Sequence, residues 1–156
     1  MSLTIYPLNL PGQVYGGPMP FGLYDPGGTL LQELKAAEIS AIVLLAEIEE
    51  CREKTGRDLL AIYREEGLTV FSLPTPNYGI PSNGQLADVL KQARERASGG
   101  RNVLIHCSAG LGRTALFAAL LAKDVLGLSG QEAIEWLGRH KPDALLTPAQ
   151  IGMILG

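Results

Sequence analysis

Residues 106–114 read HCSAGLGRT. One thiol, Cys107, is separated by five residues from one guanidinium, Arg113, with Thr114 directly after it. A thiol attacks as its thiolate. Free cysteine has a pKa of roughly 8.5, and a helix N-terminus or a nearby cation lowers it to about 3.5–7.5. Both influences are expected at Cys107, because an apolar run (NVLI) precedes it and a helix-like run (ALFAALLAKDVL) follows. A loop whose backbone N–H groups all point inward needs φ > 0 at some positions, so Gly110 and Gly112 are expected to shape an anion-sized nest. The helix dipole favours an anion there. Arg113 can grip two anion oxygens at once and stays charged. Ser108, Ala109 and Leu111 are expected to contribute mainly backbone. Thr114 places a hydroxyl beside the sulfur, where it could stabilise a departing thiolate. His106 precedes the nucleophile and is expected to orient it by hydrogen bonds, not to act as the base. A buried structural cysteine beside an ordinary turn is the bland alternative; the Cys-x5-Arg-Thr spacing favours an oxyanion-binding thiolate.

The elements that position this loop follow from periodicity and punctuation. The Gly/Pro-rich first 28 residues read as turns with one or two short edge strands. Thr29 is expected to cap a helix over LLQELKAAE, with Leu30, Leu31 and Leu34 on one face. The runs ISAIVLLA (39–46), LTVFSL (68–73) and NVLIH (102–106) read as buried strands. A helical stretch is expected from Glu47–Glu50 on across DLLAIYREE to Gly67. Ser82 is expected to cap NGQLADVLKQARERA, closed by Gly99 and Gly100. The helix after Arg113 should stop near Gly127, Ser129 should cap GQEAIEWLGRH, and Thr147 with Pro148 should start a last short helix. Strands alternating with helices predict an α/β fold, a mainly parallel sheet covered on both faces.

The composition agrees with a folded core. The chain has 156 residues, 46% hydrophobic and 19% charged, with a formal net charge of -3. That balance argues against a general binder of nucleic acid or of acidic membranes. Two cysteines, Cys51 and Cys107, are too few for a disulfide scaffold and show no zinc spacing. Their usage suits a reducing cytoplasm. MSLTIYPLNLPGQ lacks the pattern of a secretory leader, and the apolar runs are too short for a membrane span.

HCSAGLGRT resembles the signature loop of the cysteine-dependent protein tyrosine phosphatase superfamily, His-Cys-x5-Arg-Ser/Thr. The small size and the GRHKPDALLTPAQ segment are similar to compact dual-specificity and kinase-associated members. The resemblance implies one catalytic domain over residues 1–156, with a sheet of four to five mainly parallel strands flanked by helices. It implies attack by Cys107 on a phosphate monoester, a phosphocysteine intermediate, and no metal or organic cofactor. The implied substrate is a phosphorylated protein or a small aryl phosphate, handled by a monomer with no nucleic-acid or membrane partner.

In this superfamily a mobile loop carries an aspartic acid that protonates the leaving oxygen, on the pattern Trp-Pro-Asp-x-Gly-x-Pro. Here Thr75-Pro76-Asn77-Tyr78-Gly79-Ile80-Pro81 matches it, with Thr for Trp and Asn for Asp. An amide is neither a useful acid nor a useful base, and general acid catalysis contributes typically about 10²–10⁴-fold. Three readings stay open: an engineered trap, a substitute acid such as Asp25 or Asp143, or a phospho-ligand-binding module. Asn77 also suits a plain turn. Gln150 resembles the glutamine that positions the hydrolytic water, or is a surface residue of the last helix. Tyr78 flanks the loop and either lines the pocket or packs the loop shut. Cys51 is a bystander or a disulfide partner for Cys107. The latter would suit a redox enzyme of the arsenate-reductase type. The neutral Ala109 and Leu111 weigh against highly charged inositol phosphates.

Overall fold

The computed structural model describes residues 3–156, the side chain of Asn83 excepted; Met1 and Ser2, part of the stretch read for a leader, lie outside the described residues. Five strands form one sheet: β1 (Thr4–Tyr6), β2 (Val14–Gly17), β3 (Ile39–Leu44), β4 (Thr69–Ser72) and β5 (Asn102–His106). Their order is β1-β2-β5-β3-β4. β1 and β2 pair antiparallel, and β2, β5, β3 and β4 run parallel. The sheet is therefore mainly parallel, with β3 and β5 near-continuously apolar and buried; β4, expected as a buried strand, is instead the half-buried edge, because only β3 pairs with it.

Seven helices cover it: α1 (Leu30–Ala36), α2 (Ile48–Thr55), α3 (Leu59–Glu65), α4 (Asn83–Ser98), α5 (Arg113–Leu126), α6 (Gly130–His140) and α7 (Pro148–Leu155). One core gathers Ile105, Leu116, Phe117, Leu121, Trp136 and Ile154 on the α4–α7 side. The other gathers Leu30, Leu34, Ile42, Cys51, Leu59 and Tyr63 on the α1–α3 side. Helix α5 is buried from Arg113 to Ala122, and from Ala115 to Ala122 its sequence is apolar on every face.

Several expectations change. β2 is an interior strand between β1 and β5, not an edge; VYGG carries too little β-branched character to announce it. The stretch from 47 to 66 is two helices, because Gly56 closes α2 in the left-handed region at φ 66 and Asp58 caps α3 anew. Thr29 and Ser82 occupy the N-cap positions of α1 and α4 but make no side-chain cap bond. Ser129 and Thr147 do cap α6 and α7, each in a reciprocal capping box with Glu132 and Gln150.

Candidate active site

β5 ends at His106 and α5 begins at Arg113, so residues 107–112 form a loop at the C-terminal edge of the sheet. This is where open α/β sheets place ligands. Gly110 has φ 80, and a Cβ there would lie 2.8 Å from the carbonyl oxygen of Gly17. Gly112 differs from expectation: its φ is -111, an ordinary value, and the carbonyl of Leu145 crowds it instead, 3.2 Å from a built Cβ. Two neighbouring segments brace the loop. The Met19 N–H donates to the Ser108 carbonyl, and the Leu145 N–H donates to the Leu111 carbonyl, both at 2.8 Å.

Cys107 is buried at the floor of a cavity of about 220 Å³. Thr114 Oγ1 donates to Cys107 Sγ at 3.1 Å. His106 is completely buried. Its Nδ1 lies 3.1 Å from the Cys107 carbonyl, which can only accept, so Nδ1 carries the proton and Nε2 accepts from Tyr63 Oη at 2.7 Å. Burial holds the imidazole down to a pKa of about 4, which keeps it neutral near pH 7.

Arg113 is fixed by partners that sequence reasoning missed. Its Nη1 donates to Glu50 Oε1 at 2.8 Å and to the Thr75 carbonyl at 3.0 Å, and its Nη2 donates to Glu50 Oε2 at 2.6 Å. Burial alone would weaken the guanidinium's hold on its proton; the Glu50 bonds and Cys107 outweigh it and raise the pKa. Burial likewise works to raise Glu50, but Arg113 and Lys54 pull its carboxyl down to about 2. Lys54 Nζ bridges Glu50 Oε2 at 2.8 Å and Ser108 Oγ at 2.9 Å. Ser108 thus uses its side chain as well as its backbone. The only sequence signal for Glu50 was the acidic run EIEEC, where no spacing singles out one carboxylate.

The cavity brings together Cys107, Ser108, Ala109, Leu111, Gly112 and Arg113 with Asn77, Tyr78, Gln150 and Lys54, rimmed by Leu23, Tyr24 and Leu145. Gly110, His106 and Thr114 are not among its lining residues. Neither Asp25 nor Asp143 lines it. Asp25 is buried and accepts from the N–H groups of Phe21, Thr29 and Leu30. Asp143 is exposed and pairs with Lys141. None of the lining residues is a carboxylate. Among the described residues, no group of three His, Cys, Asp or Glu side chains could hold a metal, and no helix is long and apolar enough to cross a membrane.

Comparison with known proteins agrees with this fold. Residues 22–125 match the family described as polymorphic toxin system, DSP-PTPase phosphatase. Cyclin-dependent kinase inhibitor 3 of Mus musculus is 30% identical over 106 residues, covering 68% of this chain and 50% of that protein. Receptor-type tyrosine-protein phosphatase alpha of Homo sapiens is 40% identical over 88 residues, 50% of this chain and 11% of that protein. The chain thus spans half or less of the length of these curated relatives. Among solved structures, kinase associated phosphatase with its catalytic cysteine replaced by serine superposes with a TM-score of 0.86 at 22% identity, covering 97% of this chain and 90% of that one. Tk-PTP in its active form gives 0.77 at 28% identity, covering 97% and 95%. The matched segment includes the whole Cys107–Thr114 loop and the Asn77 loop, and the chain belongs to the DSP-PTPase phosphatase family, within the protein tyrosine phosphatase superfamily.

Proposed function

We propose that this chain hydrolyses phosphate monoesters through Cys107, with phosphotyrosine proteins or small aryl phosphates as substrates. The observation that carries the reading is a buried thiol, 3.1 Å from the Thr114 hydroxyl, in a cavity lined by Ser108, Ala109, Leu111, Gly112 and Arg113. In the first step the sulfur attacks phosphorus, an S–P bond forms, and the ester O–P bond breaks. In the second, water attacks the phosphocysteine, the S–P bond breaks, and Thr114 donates to the departing sulfur. The guanidinium and the loop N–H groups hold the equatorial oxygens in both steps. Catalytic roles are assigned to Cys107, Arg113 and Thr114, phosphate contacts to residues 108–113, and orientation of the loop to His106.

Asn77 is among the residues lining this cavity, and in this reading it takes the place of the acid that would protonate the leaving oxygen. With no carboxylate on the cavity wall, the leaving group departs unassisted or takes its proton from water. Substrates with acidic leaving groups suffer least. A tyrosyl phenol has a pKa of about 10, well below a serine hydroxyl. The exposed Leu23, Tyr24, Tyr78 and Leu145 at the mouth suit an aromatic ring better than a short alkyl chain. A second reading, a phospho-ligand binder with vestigial turnover, is favoured by the same amide. Thiol redox chemistry is disfavoured: burial pushes the Cys51 thiol up to about 11, leaving little thiolate to resolve an oxidised Cys107.

The test is p-nitrophenyl phosphate turnover across pH for the chain and its Asn77→Asp variant. The expected result is a gain of about 10²-fold or more and a new acid-dependent limb in the variant. Phosphate-analogue binding without turnover in either protein would establish the binder. Fast turnover by the unaltered chain would require a different proton donor.

A further inference from the structure

The loop that carries Asn77 is held from its far side by α7. Tyr78 has φ 64, a left-handed conformation that disfavours a bulky side chain. Such a backbone persists only where neighbours over-determine it. Here the neighbours are two. Thr147 Oγ1 donates to the Tyr78 carbonyl at 3.3 Å, and Gln150 Nε2 donates to the next carbonyl, Gly79, at 3.0 Å. The Gly79 N–H closes the turn onto the Pro76 carbonyl at 2.8 Å. Gln150 is 1% exposed, and its other amide atom, Oε1, accepts from the Thr147 N–H at 3.0 Å. One buried side chain therefore caps a helix with one end and grips the loop with the other.

We propose that Gln150 and Thr147 are positioning residues forming a latch that holds the 76–80 loop closed, so that Asn77 and Tyr78 wall the cavity. The proposal rests on the reading of this cavity as a phosphate site. It gives Gln150 a role distinct from placing a water, since both ends of its amide are engaged with protein. Arg113 secures the near end of the same segment through the Thr75 carbonyl. The segment is thus pinned at both ends, and entry or exit of a phosphorylated ligand breaks the two α7 bonds first.

The test is hydrogen exchange of the whole chain for the unaltered protein, Gln150→Met and Gln150→Glu at pH 8. Met removes the grip and the Gln150 half of the capping box, and keeps the backbone N–H that donates to Thr147 Oγ1. An ionised Glu keeps the capping box but has no proton for the Gly79 carbonyl. In both variants the amides of residues 77–80 should exchange about tenfold faster or more, with Asn102–His106 unchanged; in Gln150→Glu the first turn of α7 should also stay protected. Unchanged exchange at 77–80 in either variant, or acceleration shared equally by Asn102–His106, would overturn the latch. The readout needs no substrate, so it stands apart from the phosphatase reading, whose failure would appear as absent p-nitrophenyl phosphate turnover in the unaltered chain and in Asn77→Asp.

Discussion

The two loop glycines look alike in the sequence and do different work in the structure. Gly110 needs its left-handed φ of 80 and sits against the Gly17 carbonyl, whereas Gly112 has φ -111 and a milder contact. Gly110→Ala is therefore expected to combine an unfavourable backbone, costing about 1–3 kcal/mol, with a displaced loop. Inhibition by vanadate should weaken about tenfold or more. Gly112→Ala should weaken it less, and equal losses would show that conformational freedom is not what Gly110 supplies. The reactive centre was legible because Cys107, Arg113 and Thr114 lie within eight consecutive residues, where spacing alone constrains geometry. Glu50 and Lys54 were not legible. They reach the same loop from α2, more than fifty residues upstream, and only the parallel pairing of β3 with β5 brings that helix to the site.

Asp25 before α1 and Glu50 on α2 are each engaged in polar contacts, which decide which carboxylates are free for chemistry. Asp25 was a candidate substitute acid; it instead holds the turn that leads into α1, accepting from Phe21, Thr29 and Leu30 N–H groups. The caps at Ser129 and Thr147 were readable because Ser/Thr-x-x-Glu/Gln is a local signature. The cap of α1 was not, because the acceptor stands four residues before the expected Thr29. Asp25→Ala leaves three buried or half-buried donors without their acceptor and should lower stability by about 1–3 kcal/mol, read as a shift in urea midpoint. In an Asn77→Asp background it should leave the acid limb of the pH–rate profile in place. Loss of that limb would return Asp25 to the list of proton donors. β3, β4 and β5 were legible from their apolar β-branched runs; β1 and β2 lay in the stretch read as turns with one or two short edge strands, and the place of β2 between β1 and β5 depends on a partner far along the chain.

Covering both faces of the sheet also leaves an ionisable ring fully buried at the end of β5. His106 carries a pKa of about 4 in the fold, with burial the leading cause, against about 6.5 in an open chain. The groups acting on it do not reverse this: Arg113 pushes in the same direction, and Glu50 and the Cys107 carbonyl oppose only in part. Tyr63, its other partner, is pushed well above its ordinary value and stays protonated. Above pH 6.5 the imidazole is neutral folded or unfolded, and the fold keeps its full stability. As pH falls through 6.5 the unfolded chain takes up a proton that the fold excludes, so stability declines until the folded value near 4 is passed. The loss approaches about 3 kcal/mol. Glu50 continues the trend lower down: its depressed carboxyl contributes stability above pH 4.5 that is lost as pH falls toward 2. Urea midpoints should therefore be flat from pH 8 to 7, fall between 6.5 and 4, and fall again below 4.5. His106→Asn should flatten the upper decline and leave the lower one, whatever it costs in overall stability. An upper decline of unchanged slope in that variant would assign it to another group. Domains of this kind are stable by about 5–15 kcal/mol. A single buried histidine next to the cysteine thus removes a sizeable share of that margin in mild acid.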